Sequence, residues 1–247
     1  MQLAVISDIH GNDIAFEAFE SDIHQQGVDQ IVCLGDAIQG GPQPAAVVQR
    51  LQRLKCPTVM GNADAWLLSG VETGNEEISP ERLKKMEAIR QWSLSQLTDD
   101  DREFIAEFQA TITITLAENL DLLCFHASPD SFDDAIVPAA PQDVFQKFLG
   151  KYADRILTGG HTHAQQVRRN GELFFFNPGS VGLAFSEFQP DDQFHADAWA
   201  EYAILTAENG NTSLEFRRVP FAVQELLGIY RTSGRPFAED AISQYQR

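Results

Sequence analysis

Five short apolar runs in this chain each end in residues that bind metals or anions. Residues 3–6 lead into Ser7-Asp8-Ile9-His10-Gly11-Asn12, residues 31–34 into Gly35-Asp36, and residues 58–60 into Gly61-Asn62-Ala63-Asp64. Residues 122–125 run into His126, and residues 156–158 into Gly159-Gly160-His161-Thr162-His163. Runs of this length bounded by glycine and polar residues read as buried strands. In an open α/β sheet, ligands gather at the carboxyl ends of the strands. Taken singly, an Asp-x-His or a Gly-Asp is ordinary turn or cap chemistry. Five such ends in one chain point to a site.

Between these runs the pattern becomes helical. Residues 12–26 place Ile14, Ala15, Ala18, Phe19 and Ile23 on one face, and residues 45–54 form a second helix. Strand–helix–strand repetition of this kind predicts a parallel sheet covered by helices. Residues 64–108 read as helical, interrupted by Glu72-Thr73-Gly74-Asn75 and by Ser79-Pro80, a serine cap followed by a proline in the first turn. Thr98 opens another helix ahead of Asp99, Asp100 and Asp101, with acids at its positive end. Residues 111–116 alternate threonine with apolar side chains, the period of a strand, and 142–148 read as a helix. Asn170-Gly171 between 165–169 and 172–176 predicts a two-residue hairpin turn. A second hairpin joins 202–207 to 212–219, and 221–232 and 236–246 read as closing helices. The whole, residues 1–247, is expected to be one mixed α/β domain.

Charge and composition narrow the function. There are 36 acidic against 18 basic residues, a net charge of −18. Such a surface repels nucleic-acid backbones and anionic membranes, which excludes a nucleic-acid-coating role but leaves room for a small phosphorylated substrate. No apolar stretch approaches the roughly 20 residues of a membrane span, and the first residues read as a strand rather than a signal peptide. Cys33, Cys56 and Cys124 are odd in number and widely spaced, so a reducing, cytoplasmic setting is expected over a disulfide framework.

The seven candidate ligands (Asp8, His10, Asp36, Asn62, His126, His161 and His163) comprise carboxylates, imidazoles and an amide without thiolate, a set that suits Mn, Fe, Zn or Ni. They are too many for one tetrahedral zinc and suit two ions about 3.5–4 Å apart that share a carboxylate. In this order the motifs resemble the calcineurin-like metallophosphoesterase superfamily. Gly41-Pro42 and Asn177-Pro178-Gly179-Ser180 resemble its small bacterial and archaeal phosphodiesterase branch. That resemblance implies a four-layer αββα sandwich with two central mixed sheets. It implies one divalent ion held by Asp8, His10 and His163 and a second by Asn62, His126 and His161, bridged by Asp36. Asp36, Asn62 and His126 would carry the catalytic role. The reaction implied is in-line attack on phosphorus by a metal-bridging hydroxide, most plausibly in a phosphodiesterase.

The sequence departs from the family pattern at Ala63, where relatives often carry a histidine or cysteine. An alanine cannot protonate a leaving group, so esters with good leaving groups are the expected substrates. Asn12, Asp64 and His195 are candidates for supporting or substrate-contacting roles. Asp64 would orient a neighbour or cap the next helix. His195 could replace the missing acid from the loop 183–200, where Glu187, Asp191, Asp192, Asp197 and Glu201 interleave with Phe185, Phe188, Phe194 and Trp199. Arg168-Arg169 could clamp a second phosphate or form a solvated pair, and Gly40-Gly41-Pro42 would shape the loop beside Asp36. Competing activities are hydrolysis of dinucleoside polyphosphates or phosphoproteins and, in another class, a catalytically weak scaffold that binds metal or nucleotide.

Overall fold

A computed structural model describes residues 1–74, 78–186, 188–190 and 194–246. Its strands form two sheets. The first has the order β2 (Gln30–Cys33), β1 (Gln2–Ile6), β8 (Trp199–Glu208), β9 (Asn211–Pro220). The second has the order β3 (Ile112–Ala117), β4 (Leu120–Cys124), β5 (Ile156–Thr158), β7 (Leu173–Asn177), β6 (Gln166–Asn170). Both are mixed. β1 and β2 run parallel while β8 and β9 oppose their neighbours; β4, β5 and β7 run parallel between antiparallel β3 and β6.

The period-two alternation of each central strand explains the layering. Ala4 and Ile6 of β1, with Tyr202 and Ile204 of β8, join Phe16 and Phe19 of α1 (Asp13–Ile23) and Val47, Val48 and Leu51 of α2 (Pro44–Leu54). The intervening Leu3 and Val5 turn the other way and meet Leu122, Cys124 and Phe176 of the second sheet. Leu123, Leu157 and Phe175 then face outward onto Phe145 and Leu149 of α6 (Gln142–Leu149). Three apolar interfaces separate four layers, helix–sheet–sheet–helix, as expected. Each fully buried Phe in them contributes about 1.5–3 kcal/mol by transfer from water.

Several local expectations are corrected. The strand at 58–60 is reduced to single bridges, Thr58 to Cys33 and Val59 to Gln109. Pro57 has no N–H to extend the ladder, and the chain enters a helix at Asn62. On α1 it is Phe16, not Ala18, that is fully buried with Ile14, Ala15, Phe19 and Ile23. The β6–β7 turn lies one residue later than predicted: Asn170 pairs with Leu173, so Gly171 and Glu172 are the central residues. Gly171 there has φ +62, and a turn with positive φ only at its first central position selects glycine there. The β8–β9 turn is tighter than predicted, with Glu208 paired to Asn211 around Asn209 (φ +51) and Gly210 (φ +77).

The helical stretch 64–108 resolves into α3 (Asn62–Ser69), α4 (Pro80–Ser95) and α5 (Asp99–Ala106). Thr98 caps α5 reciprocally with Asp101, and Ser79 caps α4 through the Arg82 amide. Asn75, from one of the two expected interruptions, lies outside the described residues. The closing helices are α7 (Val223–Thr232) and α8 (Ala238–Ser243); Leu226, Leu227, Tyr230 and Ile242 pack with Ile14 of α1. Among the described residues, no helix is long and apolar enough to cross a membrane. Cys33, Cys56 and Cys124 are buried, unpaired thiols.

Candidate metal centre

The parallel strands of both sheets end on the same side, and their following loops interlock. His126 Nδ1 donates to Leu34 O across the two sheets (2.8 Å), the Gly160 amide donates to His126 O (2.7 Å), and the His161 amide donates to Asp8 Oδ2 (3.0 Å). These links bring the candidate ligands into two compact groups. Asp8, His10 and His163 form one, and Asp36, His126 and His161 the other; within each, the ligand atoms lie within 4.8 Å of one another.

One oxygen of Asp36 joins the groups. Oδ2 is 3.4 Å from His126 Nε2 and 3.8 Å from His10 Nε2, while Oδ1 is held by the Ala63 amide at 2.8 Å. Asn62 Oδ1 lies 3.0 Å from His126 Nε2, which places this amide oxygen beside the second group. Asn62 is the first residue of α3, so the positive end of that helix faces the site.

Three of the four imidazoles are oriented by main chain. His10 Nδ1 donates to Gln39 O, His126 Nδ1 to Leu34 O and His163 Nδ1 to Leu183 O, at 2.9, 2.8 and 2.6 Å. A carbonyl can only accept, so each Nδ1 carries its proton and each Nε2 faces inward, the orientation usual for a metal-ligating histidine. His10 Nε2 and His163 Nε2 are 3.1 Å apart. At that distance one Nε2 donates a proton to the other, or a metal ion sits between them. Asp8 Oδ1, fully buried and 3.3 Å from His163 Nε2, has no hydrogen bond among the described residues. A buried carboxylate oxygen left unpaired is costly. Hard oxygen and borderline nitrogen donors converging on one point fit a divalent first-row ion.

Electrostatics agree with the geometry. Burial raises the Asp36 carboxyl, but His126, with His10 and His161, outweighs it and holds the group far below the usual carboxylate range. Burial likewise works upward on Asp8, where His163 prevails and the net shift is downward. Burial lowers His10 and His161. It is overcome at His126, which Asp36 lifts to about 9, and at His163, which Asp8 lifts.

The backbone carries the cost of this arrangement. Asp8, His10, Asp36, His161 and His163 all have φ between +48 and +66. Each such residue costs roughly 1–2 kcal/mol outside glycine, and strain of this kind persists only where the surroundings over-determine it. Gly61 makes room for it: a Cβ there would overlap the Asp36 carboxyl, 2.9 Å from its Cγ.

The supporting candidates divide. Asp64 is buried and accepts from the amides of Ala37 (3.1 Å) and Ile38 (3.0 Å), so it fixes the loop leaving Asp36; the α3 cap is Gly61. Burial, reinforced by the Asp36 charge, raises its carboxyl to about 7. Asn12 caps α1 through the Ala15 amide and donates to Gly182 O, outside the ligand groups. His195 is not brought to the ligands; it lines a separate cavity with Gln189, Asp197 and Gln246. Glu187, Asp191 and Asp192 lie outside the described residues. From the same loop, Phe185 reaches the centre instead, 5.2 Å from the His163 ring. Arg168 stacks on Phe145, its guanidinium carbon 4.2 Å from the ring centroid, and Arg169 is exposed on β6, so neither meets the site. Sequence reasoning missed Asn177, which ties Gly160 O and the Gly179 amide together, and Ser180, whose hydroxyl donates to Asp8 O. The Asn-Pro-Gly-Ser motif was the signal for both.

Two histidine–carboxylate clusters joined by one carboxylate, at the carboxyl ends of two facing mixed sheets, define a metallophosphoesterase-type hydrolase. Residues 1–210 match the model of the calcineurin-like phosphoesterase superfamily domain, and the chain belongs to that superfamily. It is therefore a hydrolase of phosphate esters. An uncharacterised protein of Methanocaldococcus jannaschii is 28% identical over 244 residues, covering 90% of this chain and 89% of its own. The Escherichia coli phosphodiesterase YfcE is 26% identical over 193 residues, covering 74% of this chain and 80% of its own. Among solved structures, a metallophosphoesterase from Sphaerobacter thermophilus has the same fold, with a TM-score of 0.73, 24% identity and 98% coverage of both chains.

Proposed function

We propose that the chain is a binuclear metal-dependent phosphodiesterase. Asp8, His10 and His163 would hold one divalent ion, Asn62, His126 and His161 the other, and Asp36 Oδ2 would bridge them. The observation that carries this is the pair of inward-facing ligand groups linked by one Asp36 oxygen, with Asp8 Oδ1 otherwise unpaired. Two such ions supply Lewis acidity toward the phosphoryl oxygens and acidify a water at neutral pH.

The chain's own residues do the rest. Main-chain carbonyls hold the Nε2 atoms in place before substrate arrives, so no reorganisation is needed during reaction. His10 and His161 are the half-buried members of their groups, which leaves the approach for substrate over these two rings. The α3 N-terminus adds a favourable dipole toward an anionic phosphate. Ala63 offers only a methyl group, and its amide is already donated to Asp36. No proton donor stands there for a departing alkoxide, so aryl esters are favoured over alkyl esters. Residues 1–247 are read as one domain, since α7 and α8, beyond the matched segment, bury their apolar faces against α1.

The test is hydrolysis of bis-p-nitrophenyl phosphate by metal-stripped protein reloaded with Mn, Fe, Zn or Ni. Turnover should require metal and fall about 10²–10³-fold in Asp36→Asn, the loss typical of one preorganised charged group. Metal-independent turnover, or an Asp36→Asn variant as active as the parent, would overturn the assignment.

A further inference from the structure

A cavity of about 240 Å³ adjoins the candidate metal centre on the His10 side. Its inner wall is His10, Gly40 and Leu183, and its outer wall is Tyr230, Arg235 and Tyr245. The inner wall belongs to the loops that orient the ligands, since Gln39 O and Leu183 O are the acceptors for His10 and His163. Tyr230, Arg235 and Tyr245 come from α7, the α7–α8 connection and the segment after α8, beyond the 1–210 segment that matches the superfamily domain, while Lys85 and Ile89 of α4 also line the cavity.

Arg235 is the unusual member of this wall. Its Nε donates to Gly40 O (2.6 Å) and its Nη1 to Pro236 O (3.0 Å) and Phe237 O (3.3 Å). Nη2 makes no hydrogen bond, and no carboxylate lies within ion-pair distance of the guanidinium, among the described residues. Asp240 and Lys85 also line the cavity, and they pair with each other at 3.0 Å. In a chain of net charge −18, a half-buried guanidinium without a counter-ion is conspicuous, because buried charges are ordinarily paired. Its planar fork suits a carboxylate or phosphate. The Tyr230 ring lies against it, 5.4 Å from centroid to guanidinium carbon, and Tyr245 completes an aromatic side.

We propose that this cavity binds one organic arm of the phosphate ester, selecting an aromatic ring that carries a second anionic group paired with Arg235. This rests on the phosphodiesterase reading and names its substrate class. The cavity is small beside drug-sized sites, which run to roughly 300–1,000 Å³, and its volume of about 240 Å³ suits a single substituted ring.

Two esters of matched shape test this on the metal-reloaded protein: phenyl 4-nitrophenyl phosphate and 3-carboxyphenyl 4-nitrophenyl phosphate. The carboxylated ester should be preferred about tenfold in kcat/KM, through KM, consistent with one charge-assisted pair. Arg235→Met should erase that preference, and Arg235→Lys should keep part of it. Calorimetric binding of 3-carboxyphenyl phosphate against phenyl phosphate gives a second readout that needs no turnover, so failure of hydrolysis is distinguished from failure of the subsite. Equal affinity for the two ligands in the parent protein overturns the subsite. So does an Arg235→Met variant that weakens both ligands and both esters alike, which would make Arg235 a clamp for the Gly40 loop alone.

Discussion

At the end of the sheets away from the ligands, left-handed backbone is taken by Asn119, Gly171, Asn209 and Gly210 in hairpin turns. At the ligand end it is taken by Asp8, His10, Asp36, His161 and His163. The backbone state is the same and the reasons are opposite. In the turns, residues that adopt positive φ cheaply relieve strain, and a Cβ added at Gly171 or Gly210 would meet nothing within 4 Å. In the site the residues at positive φ are Asp and His, which tolerate it better than most side chains but less freely than glycine, and a Cβ at Gly61 would strike Asp36. One end minimises strain so that the chain can reverse; the other stores it so that seven side chains can converge.

The contrast is broken most severely at Gly61. Gly61→Ala should displace Asp36; if the proposed function holds, this gives about a 10³-fold loss of phosphodiesterase rate and weaker metal binding, read by activity and metal titration. An alanine variant with parental activity would mean that the crowding at Asp36 is of no consequence.

Asp64→Asn is the next smaller effect. It replaces one of two acceptors for the Ala37 and Ile38 amides with a donor, loosening the loop that leaves Asp36. Metal affinity or activity should drop about 10–100-fold, as for outer groups that orient ligands, while circular dichroism stays native.

Gly210→Ala measures the other end. It should lower stability by about 1 kcal/mol through its positive φ, seen as a small fall in Tm, with kcat/KM unchanged. A loss of activity there would show that the two ends are coupled.

The smallest effect concerns pH. Asp22 at the end of α1 is paired with Arg217 of β9 at 2.9 Å and accepts from the Tyr202 hydroxyl. Burial works upward on its carboxyl, but those partners prevail and its pKa is lowered in the folded state. The folded state therefore favours the ionised form: the stabilisation is full above the ordinary carboxylate pKa and fades as pH falls through the lowered value. Asp22→Asn should cost under about 1 kcal/mol at neutral pH and nothing in strong acid, which paired urea melts at the two pH values would show.

Much of both ends was legible in the sequence, for different physical reasons. Hairpins announce themselves by Asn-Gly, yet the first turn lies one residue later than Asn170-Gly171 suggests, because strand pairing across β6 and β7 sets the register. The ligand end was legible because each donor follows its strand directly, so Asp8, Asp36, His126 and His161 are positioned by local chain direction. What surrounds them was not. His195 shares a loop with Phe185, but only Phe185 reaches His163. Asp64 reads equally as a helix cap or an orienting group, and only its contacts with Ala37 and Ile38 decide.

By itself the sequence determined most of the order of strands and helices, the donor types, and the superfamily, since periodicity, turn chemistry and motif order depend on near neighbours along the chain. The tertiary structure decided which donors share a point in space, that Asp36 offers one oxygen to both groups, and that Arg235 lies against Gly40, 195 residues away in the chain. Those relations depend on how two sheets stack and how the last helices fold back over the first, and no local pattern encodes a distance across that packing.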